Sequence, residues 1–201
     1  MTRGGTAELA AAAGDWGTLT ESVQRCTACT ELASTRTNVV PGVRPDGARL
    51  MLVGEAPGAD EDLAGLPFVG RSGRLLDGLL DEAGIARADV AVVNVLKCRP
   101  PGNRTPRAAE VASCRPWLDR QLALVDPRVV VTLGTTAAQW ALGRSARIGV
   151  LRDRVHHWDG RALVVTYHPS AALRFGPKGA PMAGLRSDLA LAVRTAAAAL
   201  S

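Results

Sequence analysis

Residues 49–58 read RLMLVGEAPG, a short apolar run that ends in a loop with two glycines around a proline. Three later runs, at residues 90–96, 128–133 and 162–167, are also rich in aliphatic and β-branched residues and lack regular alternation with polar ones. That composition is typical of parallel strands covered on both faces. The four runs therefore predict four strands of one buried sheet.

Helical patterns separate these runs, as the connections between parallel strands require. The predicted helices cover residues 73–83, 105–125, 135–142 and 183–200. This alternation predicts the α/β class, a three-layer α/β/α sandwich with a central four-stranded parallel sheet. Such sheets bind ligands beyond the carboxyl ends of their strands. The segments that follow those ends are residues 54–58, 94–99, 134–136 and 168–170.

Length and hydrophobicity indicate one domain. With 201 residues, 47% of them hydrophobic, the chain can bury roughly 70% of its unfolded surface. Residues 17–201 are predicted to form that domain, and residues 1–16, which lack turn chemistry and periodicity, a flexible tail. No apolar run approaches the ~20 residues that span a bilayer, and the alanine-rich start is not a signal-peptide pattern. We therefore expect a cytoplasmic protein without membrane contact.

The charge is basic, with a formal net charge of +5, and only Lys97 and Lys178 among the 24 basic residues are lysines. The planar guanidinium of arginine suits phosphate, and a basic chain is compatible with a polyanionic partner. Richness in arginine and alanine also arises from a GC-rich genome. Composition alone leaves both interpretations open.

Four cysteines have a spacing that points to a metal. Cys26 and Cys29 form a C-x2-C pair, whereas Cys98 and Cys114 lie far downstream. Disulfides are disfavoured in the cytosol, and four thiolates are the usual ligands of an iron-sulfur cluster. Structural zinc sites usually draw on two short knuckles, which the second pair does not form. Spacing favours a cluster but leaves zinc and unrelated buried thiols as alternatives.

Four separated motifs occur in order along the chain. The loop after the first strand contains neither the Gly-Lys-Ser/Thr of a P-loop nor G-x-G-x-x-G, which argues against nucleoside triphosphate and NAD chemistry. The motifs are GEAPGADED at 54–62, PFVGRSG at 67–73, VNVLKCRPPGNR at 93–104 and HPS at 168–170. Together they resemble the family 4, or iron-sulfur, uracil-DNA glycosylases over residues 23–189. The resemblance implies excision of uracil from DNA in base excision repair.

The resemblance also implies a [4Fe-4S] cluster on Cys26, Cys29, Cys98 and Cys114. Its expected role is structural, because removal of uracil is a hydrolysis and needs no electron. The loop between the last two cysteines carries Arg99 and Arg104 among its arginines, and we expect these two to face DNA phosphates.

Asn94, Phe68 and His168 are the implied uracil-binding and catalytic residues. A carboxamide at Asn94 can donate to uracil O4 and accept from uracil N3–H, whereas cytosine offers the opposite pattern. Phe68 would stack on the flipped base. His168 would donate to uracil O2 and stabilise the charge on the departing base. The other two histidines, His156 and His157, are predicted to be surface residues.

Water activation is left open by the sequence. The best-known branch of the superfamily has an aspartate at the position of Ala56, so that base is absent here. Glu55 is the adjacent carboxylate, which would orient water or stabilise the oxocarbenium ion, or act only by supporting its neighbours. Gly58 would allow close backbone approach to the base, and Glu61 would lie near uracil C5 and exclude the methyl group of thymine.

The segment after the HPS motif is expected to contact DNA. Ser170 and Arg174 are candidate phosphate contacts, and Leu173 is a candidate wedge that fills the vacated base stack. The amides of Gly134, Thr135 and Thr136 open a helix and offer another phosphate site.

We expect a monomer at the nucleoid that acts on single- and double-stranded DNA as a monofunctional glycosylase. One alternative is the related variant that becomes covalently linked to its DNA, although that variant has a basic insertion that is absent after Cys98. The other alternative is an iron-sulfur DNA-binding module without catalysis.

Overall fold

The central sheet contains the four apolar runs and one further strand. The computed structural model describes residues 5–143 and 145–198. Within them, five strands form one sheet in the order β2-β1-β3-β5-β4. Four neighbouring strands run parallel, and their residues are almost entirely buried. The strands are β1 (Leu50–Gly54), β2 (Val90–Asn94), β3 (Val129–Leu133), β4 (Val155–Trp158) and β5 (Arg161–Thr166).

The predicted α/β class and the four parallel strands are confirmed. The prediction did not include β4, an antiparallel edge strand paired to β5. Strand β4 has a weak sequence signal because it is four residues long and half exposed, with two histidines at its centre. A signal was present in the two-residue turn Asp159-Gly160, both with positive φ (49° and 72°). Asp-Gly between two strands is typical of a hairpin.

Helices cover both faces of the sheet and confirm the three layers. They are α1 (Thr6–Ala12), α2 (Trp16–Gln24), α3 (Thr30–Thr35), α4 (Ala59–Ala64), α5 (Arg71–Glu82), α6 (Ala108–Val125), α7 (Thr135–Leu142), α8 (Ile148–Leu151), α9 (Pro169–Phe175) and α10 (Ala180–Ala198). Helices α5, α9 and α10 pack on one face, and α6 and α7 on the other. A third apolar cluster joins α1, α2 and α3 to α6 around the cysteines.

The N-terminal segment is folded, contrary to the tail predicted for residues 1–16. Helix α1 packs against α6 and buries Ala10, and Arg120 donates two hydrogen bonds to the Ala13 carbonyl. Asp15 then caps α2 through Thr18. Alanine gave no visible periodicity because small side chains bury little area. Residues 1–4 of the predicted tail lie outside the described residues.

None of the helices within residues 5–143 and 145–198 is both long enough and apolar enough to cross a membrane.

Candidate active site

A cavity of about 280 Å³ lies at the carboxyl ends of β1 and β2, near the lower end of the roughly 300–1,000 Å³ typical of ligand pockets. The topology brings β1 between β2 and β3, so loops from distant parts of the chain meet there. Among the predicted site residues, the cavity is lined by Glu55, Ala56, Gly58, Glu61, Phe68, Asn94, Arg104, His168 and Ser170.

Asn94 ends β2 directly beside Gly54, the last residue of β1. A side chain at Gly54 would collide with Asn94 Oδ1 and would come within 2.6 Å of Phe68 Cζ. Glycine at this position therefore leaves room for the Asn94 carboxamide and the Phe68 ring, which both line the cavity. Within the described residues, Asn94 Oδ1 is buried and accepts no hydrogen bond, an arrangement that is costly unless a ligand supplies a donor.

The loop that carries Phe68 is fixed at several points. Phe68 has φ +55°, a conformation uncommon outside glycine. On one side of it, Arg87 donates to the Pro67 carbonyl (3.0 Å). On the other, the Glu61 carboxylate accepts from the N–H groups of Val69 and Gly70 (2.9 Å each), and also from Gly58 (3.0 Å).

These contacts give Glu61 a structural task that the sequence analysis did not foresee. Its carboxylate holds the Phe68 loop while it lines the cavity, and the predicted place near uracil C5 stays a prediction. The Phe68 ring packs into the core cluster beside α5 and meets the His168 ring at a centroid distance of 5.8 Å. Phe68 is thus both a core residue and a wall of the cavity.

His168 is the N-cap of α9, and Pro169 occupies the first helical position. Its Nδ1 accepts a hydrogen bond from the Ser170 N–H (3.2 Å) and lies 2.8 Å from Ser170 Oγ. An Nδ1 that accepts leaves the proton of the neutral ring on Nε2. Burial lowers the pKa of His168 to about 4, and nearby Glu61 partly opposes this shift. At neutral pH the ring is therefore an uncharged Nε2–H donor.

Glu55 follows β1 and receives a hydrogen bond from the Thr136 hydroxyl at 2.5 Å. Thr136 belongs to the first turn of α7, which follows the neighbouring strand β3. The pair spans the point at which the connections from β1 and β3 diverge, where such sheets bind ligands. Ala56 beside it lines the cavity with a methyl group, so Glu55 is the carboxylate of this loop.

The four cysteines line one small cavity behind the site. Cys26 and Cys29 come from the turn between α2 and α3, Cys98 follows β2, and Cys114 lies in α6. Burial raises the pKa of the Cys114 thiol to about 12 and also raises that of Cys98. Among the described residues, no group of three or more His, Cys, Asp or Glu side chains is arranged to hold a single ion.

Two cations face these sulfur atoms. Arg36 donates to Cys98 Sγ (3.0 Å) and to the Cys26 carbonyl (2.7 Å). Lys97 is 1% exposed. Burial lowers its pKa to about 8, although Cys114 and Cys98 oppose the shift. The donor set therefore fits an anionic thiolate-bound group, because four thiolates bring excess negative charge that these cations balance.

The predicted DNA contacts are divided between the surface and internal ion pairs. Arg104 binds Glu110 at 2.6 Å and Glu31 at 3.1 Å, so carboxylates already occupy its guanidinium. Arg99 bonds to Asn103 at 2.8 Å. Leu173 in α9 is half buried, and Arg174 is exposed.

Some site residues were not identified from the sequence. Phe175 is 62% exposed and carries the Arg174 guanidinium 5.3 Å from its ring centroid. Thr136 and Lys97 lie within quoted segments, but only the fold shows their partners. Phe175 had a readable signal, an aromatic residue in a segment already expected to meet DNA. The remaining residues of the cavity wall are Pro57, Ser72, Pro100 and Asn103.

These features define an α/β protein with a small, partly polar cavity beyond the carboxyl ends of its strands. The family model described as the uracil DNA glycosylase superfamily matches residues 41–190. The chain is 46% identical over 158 residues to a type-4 uracil-DNA glycosylase of Thermotoga maritima, covering 78% of this chain and 82% of that protein. It is 42% identical to the type-4 enzyme of Archaeoglobus fulgidus (77% and 81% covered).

A type-5 uracil-DNA glycosylase of Mycobacterium bovis is also similar, with 32% identity over 202 residues and 81% and 75% of the two chains covered. The chain belongs to the uracil-DNA glycosylase superfamily and, within it, to the type-4 family. The resemblance drawn from the four motifs is confirmed.

Proposed function

We propose that the protein is a monofunctional glycosylase that removes uracil from DNA by hydrolysis of the N-glycosidic bond. The observation that carries this proposal is the Asn94 carboxamide, which lines the same cavity as Glu55 and His168 and whose buried Oδ1 accepts no hydrogen bond from the residues that the structure describes. Uracil N3–H supplies the missing donor, and the carboxamide N–H donates to uracil O4. Cytosine, with an acceptor at N3, leaves Oδ1 unsatisfied and is rejected.

His168 acts on the leaving group. With Ser170 bonded to Nδ1, the Nε2–H of the neutral ring donates to uracil O2 as negative charge develops on the base. Phe68 forms the wall against which the flipped base is held. The two residues touch each other, so stacking and leaving-group stabilisation are built on one rigid contact.

Glu55 is the group that acts on water. Glu55 lines the cavity, and the hydrogen bond from Thr136 fixes one of its carboxylate oxygens. From this position the carboxylate orients the attacking water and stabilises the oxocarbenium-like sugar. Glu61 and Gly58 complete this wall, and exclusion of the thymine methyl remains the role proposed for Glu61.

The four cysteines are proposed to hold a [4Fe-4S] cluster. Support comes from the thiol donor set and from Arg36 and Lys97, which face it with positive charge. When bound, the cluster supplies a covalent bridge between the N-terminal helices and the connection after β2, and it contributes no electron to the hydrolysis.

DNA is proposed to lie across the rim formed by α9 and the Arg99 loop. Arg174 and Phe175 are the exposed pair there, and the aromatic ring is a better wedge than half-buried Leu173. We propose that the protein works as a monomer on single- and double-stranded DNA at the nucleoid. Ser170 and Arg99 remain proposed phosphate contacts.

Replacement of Asn94 tests the proposal. With cluster-loaded protein and an oligonucleotide that carries one uracil, Asn94→Ala should lower single-turnover release by about 100-fold or more, since a pocket polar contact is lost. Gln24→Ala, which removes an exposed carboxamide, is the matched control and should react like wild type.

The other readings have distinct outcomes in the same assay. Wild-type protein that leaves every uracil oligonucleotide intact would favour the non-catalytic binding module. An SDS-stable adduct would favour the crosslinking variant. An Asn94→Ala protein with the wild-type rate would remove Asn94 from the mechanism.

A further inference from the structure

Lys97 is a fully buried lysine between the active site and the cysteine site. It lies three residues after Asn94 and next to Cys98, and it lines the cavity of the four cysteines. Its ammonium donates to the Asn94 main-chain carbonyl at 2.5 Å, and its backbone N–H bonds to the Cys114 sulfur. One residue therefore contacts both sites.

The charge of Lys97 has no carboxylate partner. Within residues 5–143 and 145–198, no Asp or Glu oxygen lies within 4.0 Å of the Lys97 Nζ. None lies within that distance of the Arg36 guanidinium nitrogens either. An isolated buried ammonium is expensive, and a lysine that keeps its charge when buried needs an anion nearby. Lys97 lines the same small cavity as Cys98 and Cys114, so the cysteine sulfur atoms are the groups that can supply the negative charge.

The same ammonium of Lys97 fixes the backbone that presents the Asn94 carboxamide. Beyond β2, the N–H groups of Val95 and Leu96 bond to the carbonyls of Gly54 and Glu55 (2.9 and 3.0 Å). The Asn94 carbonyl at this turn is taken by Lys97. A buried carbonyl needs such a donor, and this one comes from outside the sheet.

We infer that Lys97 is a positioning residue that couples the thiolate-bound cluster to uracil recognition. The anionic cluster holds the ammonium, and the ammonium holds the Asn94 carbonyl and thereby the Oδ1 that meets uracil N3–H. This inference rests on the proposed cluster and the proposed role of Asn94. It assigns Lys97 no contact with substrate.

Lys97→Met removes the charge and the donor while it keeps an unbranched side chain that is one atom shorter. We expect the reduction potential of the loaded cluster to shift to more negative values, because a neighbouring positive charge is lost. We also expect kcat for uracil release to fall by about tenfold, the worth of one hydrogen bond from a charged donor, with KM for DNA unchanged. Lys97→Arg keeps the charge and should restore the potential.

Lys178→Met is the matched control. Lys178 is the other lysine of the chain and is exposed, so its loss should leave iron content and potential at wild-type values. A Lys97→Met protein with a full cluster, an unchanged potential and an unchanged kcat would overturn the inference.

A second measurement needs no variant. Because the chain has two lysines, wild-type protein labelled with ¹⁵N-lysine gives two ammonium signals. We expect one to exchange slowly with water and to move when the cluster changes oxidation state, while the other behaves like free lysine. Two signals that both ignore the cluster would refute the coupling even if Lys97→Met does not fold. Wild-type protein without iron, or inactive on uracil, would instead refute the cofactor or the activity.

Discussion

Two factors set the protonation state of the His168 imidazole: the hydrogen bond from the Ser170 amide to Nδ1, and the burial of the ring. Burial lowers its pKa from 6.5 to about 4. The unfolded chain therefore takes up a proton at higher pH than the folded protein does. The free energy of unfolding must then fall as the pH drops from about 6.5 to about 4, and this group contributes a constant amount above that window.

His168→Gln should weaken that pH dependence. Urea unfolding of wild type and variant at a pH of about 7 and about 4.5 measures it, and the difference between the two proteins isolates His168 from the carboxylates. His157→Gln, on the exposed side of β4, should retain the wild-type slope. Equal slopes in all three proteins would mean that His168 is not held neutral by the fold.

The hydroxyl of Thr136 should matter only through Glu55. Thr136→Val removes the 2.5 Å hydrogen bond and is expected to slow uracil release by about tenfold, the worth of one bond to a charged group. Glu55→Gln with Thr136→Val should be no slower than Glu55→Gln alone, because the two act as a unit. Thr195→Val in α10 is the control. Additive losses in the double variant would contradict the pairing.

At this scale, residue type and strand ends were enough to predict Glu55, Asn94 and His168 at one site, because the carboxyl ends of parallel strands must converge. The partners of those residues were not predictable. Thr136 lies 81 residues from Glu55, and their meeting depends on strand order and rotamers that no local pattern encodes. The positive charge of Arg104 in the sequence led us to expect it at DNA. Its ion pair with Glu31, 73 residues away, could not be predicted from the sequence.

Strand β1 ends where the site begins, and its last residue sets how closely the walls approach. Gly54→Ala would push Asn94 and Phe68 apart, and a displacement of about 1 Å in a catalytic site costs about 100-fold in rate. We expect that loss in single-turnover release. Thermal unfolding should show a smaller effect, because the strand remains paired.

Gly78→Ala in α5 is the matched change, since its methyl group would meet nothing within 4 Å. It should leave the rate intact and stabilise the protein by about 0.5–1 kcal/mol, the usual gain in a helix interior. A Gly54→Ala protein as active as Gly78→Ala would show that the cavity tolerates a wider spacing.

Elements marked by a continuous apolar run, or by a helical pattern between two such runs, were predicted from the sequence, and elements without such a signal were not. The four buried strands and helix α7 are found where expected, the latter at Thr135–Leu142. Strand β4 and helix α1 escaped because one is half exposed and the other rests on alanines. Helix α1 is held by the distant helix α6, and β4 is held by its hairpin pairing with β5. These contacts override weak local preference.

Over the whole molecule, the cysteine site joins the N-terminal helices to the sheet. Cys29→Ser should abolish cluster binding and yield colourless protein. We expect hydrogen exchange to speed up in α2 and α3, which pack around the cysteines, while β1 and β3 stay protected by the two sheet cores. The melting temperature should fall by about 2–4 °C for each kcal/mol lost.

Metal analysis of the wild-type protein accompanies that experiment. Iron and sulfide in equal amounts would support the proposed cluster. One zinc ion per chain would instead show that the four cysteines form a zinc site. Exchange that accelerates equally in the sheet would show that the N-terminal helices and the sheet unfold as one unit.

The four cysteines are also synthesised at different times. Synthesis runs from the N terminus at about 5–20 residues per second, so Cys26 and Cys29 leave the ribosome well before Cys114 in α6. Strands β1 and β2 are already made by then, but the turn that carries Asn94 and Lys97 has no finished site to rest against. With the proposed cluster, the nascent chain would have to keep an exposed pair of thiols reduced until α6 emerges, and maturation of the base pocket would wait for delivery of iron.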